Sequence, residues 1–136
     1  MNLGLDIDGT ITGDPDFFAS LCRGVLLQGT VHIVSSRSLD ARTETVAELA
    51  ELDISYSALH LLPPTSAAQT LCPHEGLDWY QRHQWLKAHY ALANGLTHFV
   101  DDERKVLVLF ARFAPSVVAI DFKDRSVLLD ANNRAD

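Results

Sequence analysis

Cysteine is scarce in this chain. Cys22 and Cys72 are too few for a disulfide framework, and we read them as reduced thiols of a cytosolic protein. No apolar run approaches the roughly 20 residues needed to span a bilayer, so no membrane partner is expected. The opening MNLGLDIDGT has no basic stretch and carries Asp6 and Asp8, which predicts no secretory leader and a cytoplasmic location. Basic residues are outnumbered: 11 Lys and Arg face 18 Asp and Glu, a formal net charge of −7. That balance argues against nucleic acid as a partner, since nucleic acid is held by clustered Lys and Arg; only a local basic patch would reverse the expectation. Glycine and proline are sparse at 7 and 5, which argues against a disordered chain. What remains is 136 residues with 47% hydrophobic content, enough for one core and a single domain over residues 1–136.

Apolar runs alternate with stretches of helical spacing. Asn2 to Ile7 reads as a buried strand that stops at Asp8-Gly9. Asp14 caps a helix with Pro15 in its first turn, and Gly29 ends it. Val31 to Val34 is a second strand, stopped by Ser35-Ser36-Arg37, and Ser38 caps a helix through about Leu52. Tyr56 to Leu62 is a third strand, and residues 63–76 read as a loop. Asp78 to Ala93 is a helix, Thr97 to Val100 a fourth strand, Glu103 to Phe113 a helix and Ser116 to Ile120 a fifth strand. The final stretch adds a short edge strand or trails off. This alternation predicts an α/β fold with a mostly parallel five-stranded sheet and right-handed crossovers. Ligands of such sheets bind beyond the carboxyl ends of the strands. The polar residues collect there: Asp6 and Asp8 after the first strand, Ser35 and Ser36 after the second, Asp101 and Asp102 after the fourth.

So many carboxylates in one crevice repel each other unless a cation is present. Hard oxygen donors without a His or Cys cluster predict Mg²⁺. A Mg²⁺ site with a free Asp, a Ser hydroxyl and a nearby Lys or Arg suits phosphoryl transfer, in which the cations offset charge on the phosphoryl oxygens while a carboxylate attacks in line.

D-I-D-G-T at Asp6 to Thr10 resembles the first motif of the haloacid dehalogenase (HAD) superfamily. V-H-I-V-S at Val31 to Ser35 resembles its second motif, and F-V-D-D at Phe99 to Asp102 its fourth, in matching order. The resemblance implies a three-layer Rossmann-like domain and a Mg²⁺-dependent phosphomonoester hydrolase working through an aspartyl-phosphate. Asp6 would be the nucleophile and a metal ligand. Asp8 would be the general acid and base, with its backbone carbonyl on the metal. Gly9 and Thr10 would turn the chain so that backbone N–H groups face the phosphate. Ser35 and the N–H of Ser36 would bind phosphoryl oxygens, and Asp101 and Asp102 would complete the metal site. The third-motif cation is the departure from the family pattern. Arg82 is favoured slightly for it over Lys87, which lies further along the helix, and Lys105 is a weaker choice. Only 26 residues separate Asp8 from Ser35, which leaves no room for a sizeable cap. An open site of this kind serves a bulky phosphorylated substrate or gains a lid by oligomerising. The chain also resembles capless nucleotidases and the phosphatase half of polynucleotide kinase-phosphatases.

Each motif has a structural alternative. Asp6 and Asp8 fit a strand-end turn, Ser35-Ser36 a helix cap, and Asp102 a cap for the helix that follows. Arg37 either reaches substrate or pairs with a surface acid. The six His show no convincing ligand spacing except around Cys72, His74 and His83. A catalytically idle domain of the same fold, binding a phosphorylated ligand or a partner protein, would not need Asp8; the weak third motif speaks for it.

Overall fold

Strand residues that are apolar on both faces need cover on both faces, and the sheet of this protein has it. The computed structural model describes residues 1–128; residues 129–136 of the expected domain lie outside the described residues. In chain order the elements are β1 (Asn2–Leu5), α1 (Pro15–Val25), β2 (Thr30–Ser35), α2 (Arg42–Glu51), β3 (Ala58–Leu61), α3 (Thr65–Leu71), α4 (Trp79–Ala93), β4 (His98–Asp101), α5 (Arg104–Phe113), β5 (Val118–Asp121) and β6 (Ser126–Leu128). The sheet order is β3-β2-β1-β4-β5-β6. Every neighbouring pair is parallel except β5 and β6. The sheet therefore has six strands rather than five, because the last described residues fold back as an antiparallel edge strand. Among the described residues no helix is long and apolar enough to cross a membrane.

Two apolar clusters flank the strands. One joins Leu3, Leu5, Val31 and Ile33 to Phe18 and Cys22 of α1 and Leu49 of α2. The other joins Val34 and Phe99 to Leu86 and Ala91 of α4 and Leu107 and Phe110 of α5. Ile33 and Val34 are adjacent in sequence and enter different clusters, as the alternation of side chains along a strand requires.

The helix starts follow local chemistry. Asp14 accepts the N–H of Phe17 at 3.4 Å and Pro15 occupies the first turn of α1. Ser38 caps a short 3-10 turn, Leu39–Ala41, and α2 follows it. Asp78 and Gln81 form a reciprocal capping box at the start of α4. The predicted loop at 63–76 contains α3 instead. Its Thr and Ser residues are weak helix formers, but burial of Ala68 and a bond from the Gln69 amide to the Thr65 carbonyl at 3.0 Å hold the turn.

Candidate active site

The chain leaves β1 in both directions across the sheet: β2 pairs with one edge and β4 with the other. A crevice opens where strand order reverses in this way. Asp6 follows β1 directly, and its N–H donates to the Val100 carbonyl at 3.1 Å. Ser35 ends β2 and Asp101 ends β4. Three polar strand ends are thus neighbours because their strands are.

Asp6, Asp101 and Asp102 each place a carboxylate oxygen within 4.8 Å of the others. The Lys87 ammonium, from α4, donates to Asp6 Oδ1 and to Asp101 Oδ2, both at 3.0 Å. Thr10 Oγ1 lies 3.3 Å from both Asp6 Oδ2 and Asp102 Oδ1. The remaining Asp101 oxygen, Oδ1, accepts the N–H of Glu103 at 2.9 Å. Lys87 is 2% exposed, Asp101 1% and Asp6 6%, so this is a buried charge cluster.

Burial pushes the Asp6 carboxyl up to about 7; Lys87 pulls it down, and Asp101 and Asp102 push it further up. Burial likewise raises Asp101, against the pull of Lys87. Burial alone would lower Lys87, but Asp101 and Asp6 outweigh it and hold the ammonium above its ordinary value. With all groups ionised, three carboxylates face one ammonium, and two negative charges stay uncompensated. A hard divalent cation such as Mg²⁺ fits both that charge and the all-oxygen donor set. The loop after β1 supports the fit. Gly9 has φ 84°, and a Cβ there would stand 2.2 Å from Asp102 Oδ2. Only glycine lets the backbone cradle that carboxylate. Among the described residues, no His or Cys joins the group suited to a metal; His83 Nε2 is bonded to the Pro63 carbonyl at 2.9 Å instead.

Asp8 stands apart from the three clustered acids. Its side chain is 65% exposed and is gripped by Arg37, with Nε to Oδ2 at 3.0 Å and Nη2 to Oδ1 at 2.8 Å. Those bonds hold its carboxyl below the usual value, against a smaller effect of burial. The side chains grouped for a metal are therefore Asp6, Asp101 and Asp102, which leaves Asp8 only the backbone carbonyl expected of it. Ser35 is buried and its Oγ accepts the N–H of Arg37 at 3.1 Å. Ser36 is exposed and lines a cleft of about 350 Å³ with Ser38, Pro63, Thr65 and His83.

The cation assignment is corrected in favour of Lys87. Arg82 points away from the acids and donates to the carbonyls of Gln69 at 2.8 Å, Cys72 at 2.6 Å and His74 at 2.6 Å. Five helical residues turn the chain by about 140° beyond one full turn, so Arg82 and Lys87 cannot face the same way. Lys105 is exposed on α5. Comparison with family models, with curated proteins and with solved structures finds no match for the chain.

The phosphate-facing role expected of the glycine turn is also altered. The N–H of Gly9 donates to Thr12 Oγ1 at 2.9 Å and that of Thr10 to the Ile7 carbonyl at 3.2 Å, so both donors close the loop on itself. Asp102 does not cap α5; Glu103 does, accepting the N–H of Lys105 at 3.4 Å. Sequence reasoning left Arg37 either to reach substrate or to pair with a surface acid. In the structure it pairs with Asp8 and Glu48. Burial raises the Tyr80 hydroxyl above its ordinary value; Glu103, Asp101 and Asp6 add to the rise and Lys87 opposes it.

Proposed function

We propose that the protein is a Mg²⁺-dependent phosphomonoester hydrolase that works through a phospho-Asp6 intermediate. The domain is read as HAD-like, with its two apolar clusters as the two helix layers around the sheet and no sizeable cap. The observation that carries this reading is the buried Lys87 bridging Asp6 and Asp101, with Asp102 beside them, at the point where strand order reverses. A structural strand-end turn would have no reason to bury two acids around one ammonium with a third acid beside them, since burying charge is costly. The chain between β1 and β2 holds only a 3-10 turn and α1, and that between β3 and β4 only α3 and α4, which supports the capless form.

Asp6, Asp101 and Asp102 would hold Mg²⁺, with the carbonyl of Asp8. When bound, the ion would supply positive charge that keeps Asp6 ionised and offsets charge on the phosphoryl oxygens. Asp6 would attack phosphorus as the ester P–O bond breaks, and Asp8 would give a proton to the leaving oxygen. Asp8 would then take a proton from the water that attacks phosphorus, which frees Asp6 and inorganic phosphate. Lys87 orients Asp6 and, with the Ser35 hydroxyl and the Ser36 N–H, would bind the phosphoryl group. Buried Cys22 and Cys72 without a disulfide support a cytoplasmic setting.

Phosphate release from p-nitrophenyl phosphate, nucleoside monophosphates and a 3′-phosphorylated oligonucleotide, with and without Mg²⁺, tests the reading. The expected result is Mg²⁺-dependent release that Asp6→Asn abolishes. Wild-type protein that binds phosphate but releases none from any ester would leave a binding domain in place of the enzyme.

A further inference from the structure

We propose that the cleft beside Ser36 seats the leaving group of the substrate and that this group is an uncharged sugar; the inference rests on the phosphatase reading above. The cleft, of about 350 Å³, opens at the carboxyl ends of β2 and β3. Leu62 is one of its walls, and the Leu62 N–H donates to the Ser35 carbonyl at 2.9 Å, so the cleft adjoins the end of β2. His83 closes it from α4, about one turn before Lys87 and so on the same side of the helix. A phosphoryl group bound by Lys87 and the Ser36 N–H therefore has this cleft next to it. A larger hollow of about 510 Å³ is lined by Phe18, Val100 and Ile120, on the α1 face of the sheet. Asp101 follows Val100 and turns to the other face, where it meets Lys87 of α4.

The lining decides the charge of the occupant. It contains no Lys or Arg, and it does contain an acid, Asp40. The cations close in sequence or space are already taken: Arg37 is shared between Asp8 and Glu48, and Lys87 between Asp6 and Asp101. A second phosphate or a carboxylate on the leaving group would meet an acid without a free cation to offset it, and such juxtaposition costs affinity. His83 keeps both ring nitrogens for the protein, with Nε2 donating to the Pro63 carbonyl at 2.9 Å and Nδ1 3.3 Å from the Gln84 amide nitrogen. It gives the cleft a flat wall rather than a base. What the lining offers is the hydroxyls of Ser36 and Thr65 and the Asp40 carboxylate, beside the apolar surfaces of Leu39, Leu62 and Pro64. A sugar matches both, with hydroxyls on its rim and C–H groups on its face. A nucleobase matches less well, since no Phe, Tyr or Trp lines the cleft to stack on it.

Phosphate release from matched compounds, with Mg²⁺ present, tests the assignment. Glucose 6-phosphate is expected to show a kcat/KM on the order of tenfold or more above that of glucose 1,6-bisphosphate, which differs by one added phosphate. Adenosine monophosphate, which adds a base to ribose 5-phosphate, is expected to gain nothing over it. Asp40→Lys, a change at an exposed position, should close most of the gap to the bisphosphate. Thr65→Trp, which fills the cleft, should lower kcat/KM on glucose 6-phosphate relative to acetyl phosphate by about tenfold, because acetate is too small to draw on the cleft. If the Trp variant fails to fold, the Lys variant still decides. Equal turnover of the monophosphate and the bisphosphate, or a selectivity that neither variant moves, would overturn the proposal. A preference of about tenfold or more for adenosine monophosphate over ribose 5-phosphate would overturn it in favour of a nucleoside. Release from acetyl phosphate or p-nitrophenyl phosphate, with none from the sugar phosphates, would overturn it and leave the phosphatase reading standing. Wild-type protein without turnover on any of these compounds would instead sink the phosphatase reading, and this inference with it.

Discussion

Lys87 shows how much one side chain decides at the residue scale. It is a single ammonium enclosed by two acids, each at 3.0 Å, with almost no solvent. Removing one member of a buried pair leaves the others uncompensated. Lys87→Ala is therefore expected to lower the unfolding free energy by about 3 kcal/mol in urea titrations without divalent ion. The variant's site also becomes more negative, so added Mg²⁺ should raise its Tm more than that of the wild type. A loss below about 0.5 kcal/mol, the range of ordinary surface changes, would contradict the buried pairing. Gly9 tests the other side of the same cluster. Gly9→Ala meets a positive φ and the Asp102 carboxylate at once. It should destabilise the fold by on the order of 1 kcal/mol or more, and the Mg²⁺ shift in Tm should shrink because Asp102 is displaced. An undiminished shift would remove Asp102 from the metal set.

At the scale of elements, the segment joining α3 to α4 owes its shape to Arg82. Its guanidinium donates to three carbonyls, that of Gln69 in the last turn of α3 and those of Cys72 and His74 just beyond it. The Asp78–Gln81 capping box then starts α4 at the point from which Lys87 reaches the acids. Arg82→Ala is expected to speed amide hydrogen exchange over residues 65–77, since local openings follow the loss of such contacts. The Mg²⁺ shift in Tm should survive in this variant. Loss of that shift would restore Arg82 as the site cation. The contrast with Lys87→Ala tests whether the two basic residues of one helix divide structure and site between them.

At the scale of the whole molecule, the sheet is tied to α4 by rings as well as by apolar packing. His60 of β3 stacks on Tyr90 at 4.3 Å, and His32 Nδ1 shares a 2.9 Å hydrogen bond with the Tyr90 hydroxyl. Burial holds the His60 imidazole below its ordinary value of 6.5, and Arg42 adds to the effect. A depressed His pKa means that the unfolded chain binds more protons just below 6.5, so this contribution to stability is complete above that value and lost as pH falls through the folded value. The buried acids shift the other way, so the comparison must cancel them. Relative to His60→Gln, the wild type should lose unfolding free energy as pH is lowered from about 7.5 to about 5.5. Parallel curves for the two proteins would mean that His60 is as freely solvated folded as unfolded.

Much of the scaffold was readable along the chain. Apolar runs that end abruptly in Asp6, Ser35 and Asp101 mark strand ends, because a buried strand tolerates such residues only where it leaves the core. Asp14 and Asp78 announced their helices through caps that need only neighbouring N–H groups. The cation could not be read in the same way. From His83 to Ala88 every residue of α4 is buried, so no polar face distinguishes Lys87 from its neighbours. The clamp on Asp8 was equally hidden, since Arg37 is 29 residues from it. Local chemistry along the sequence determined the strands, the helix starts and the acids. The order of strands in the sheet decided which charges meet, because a buried charge chooses its partner by distance in space.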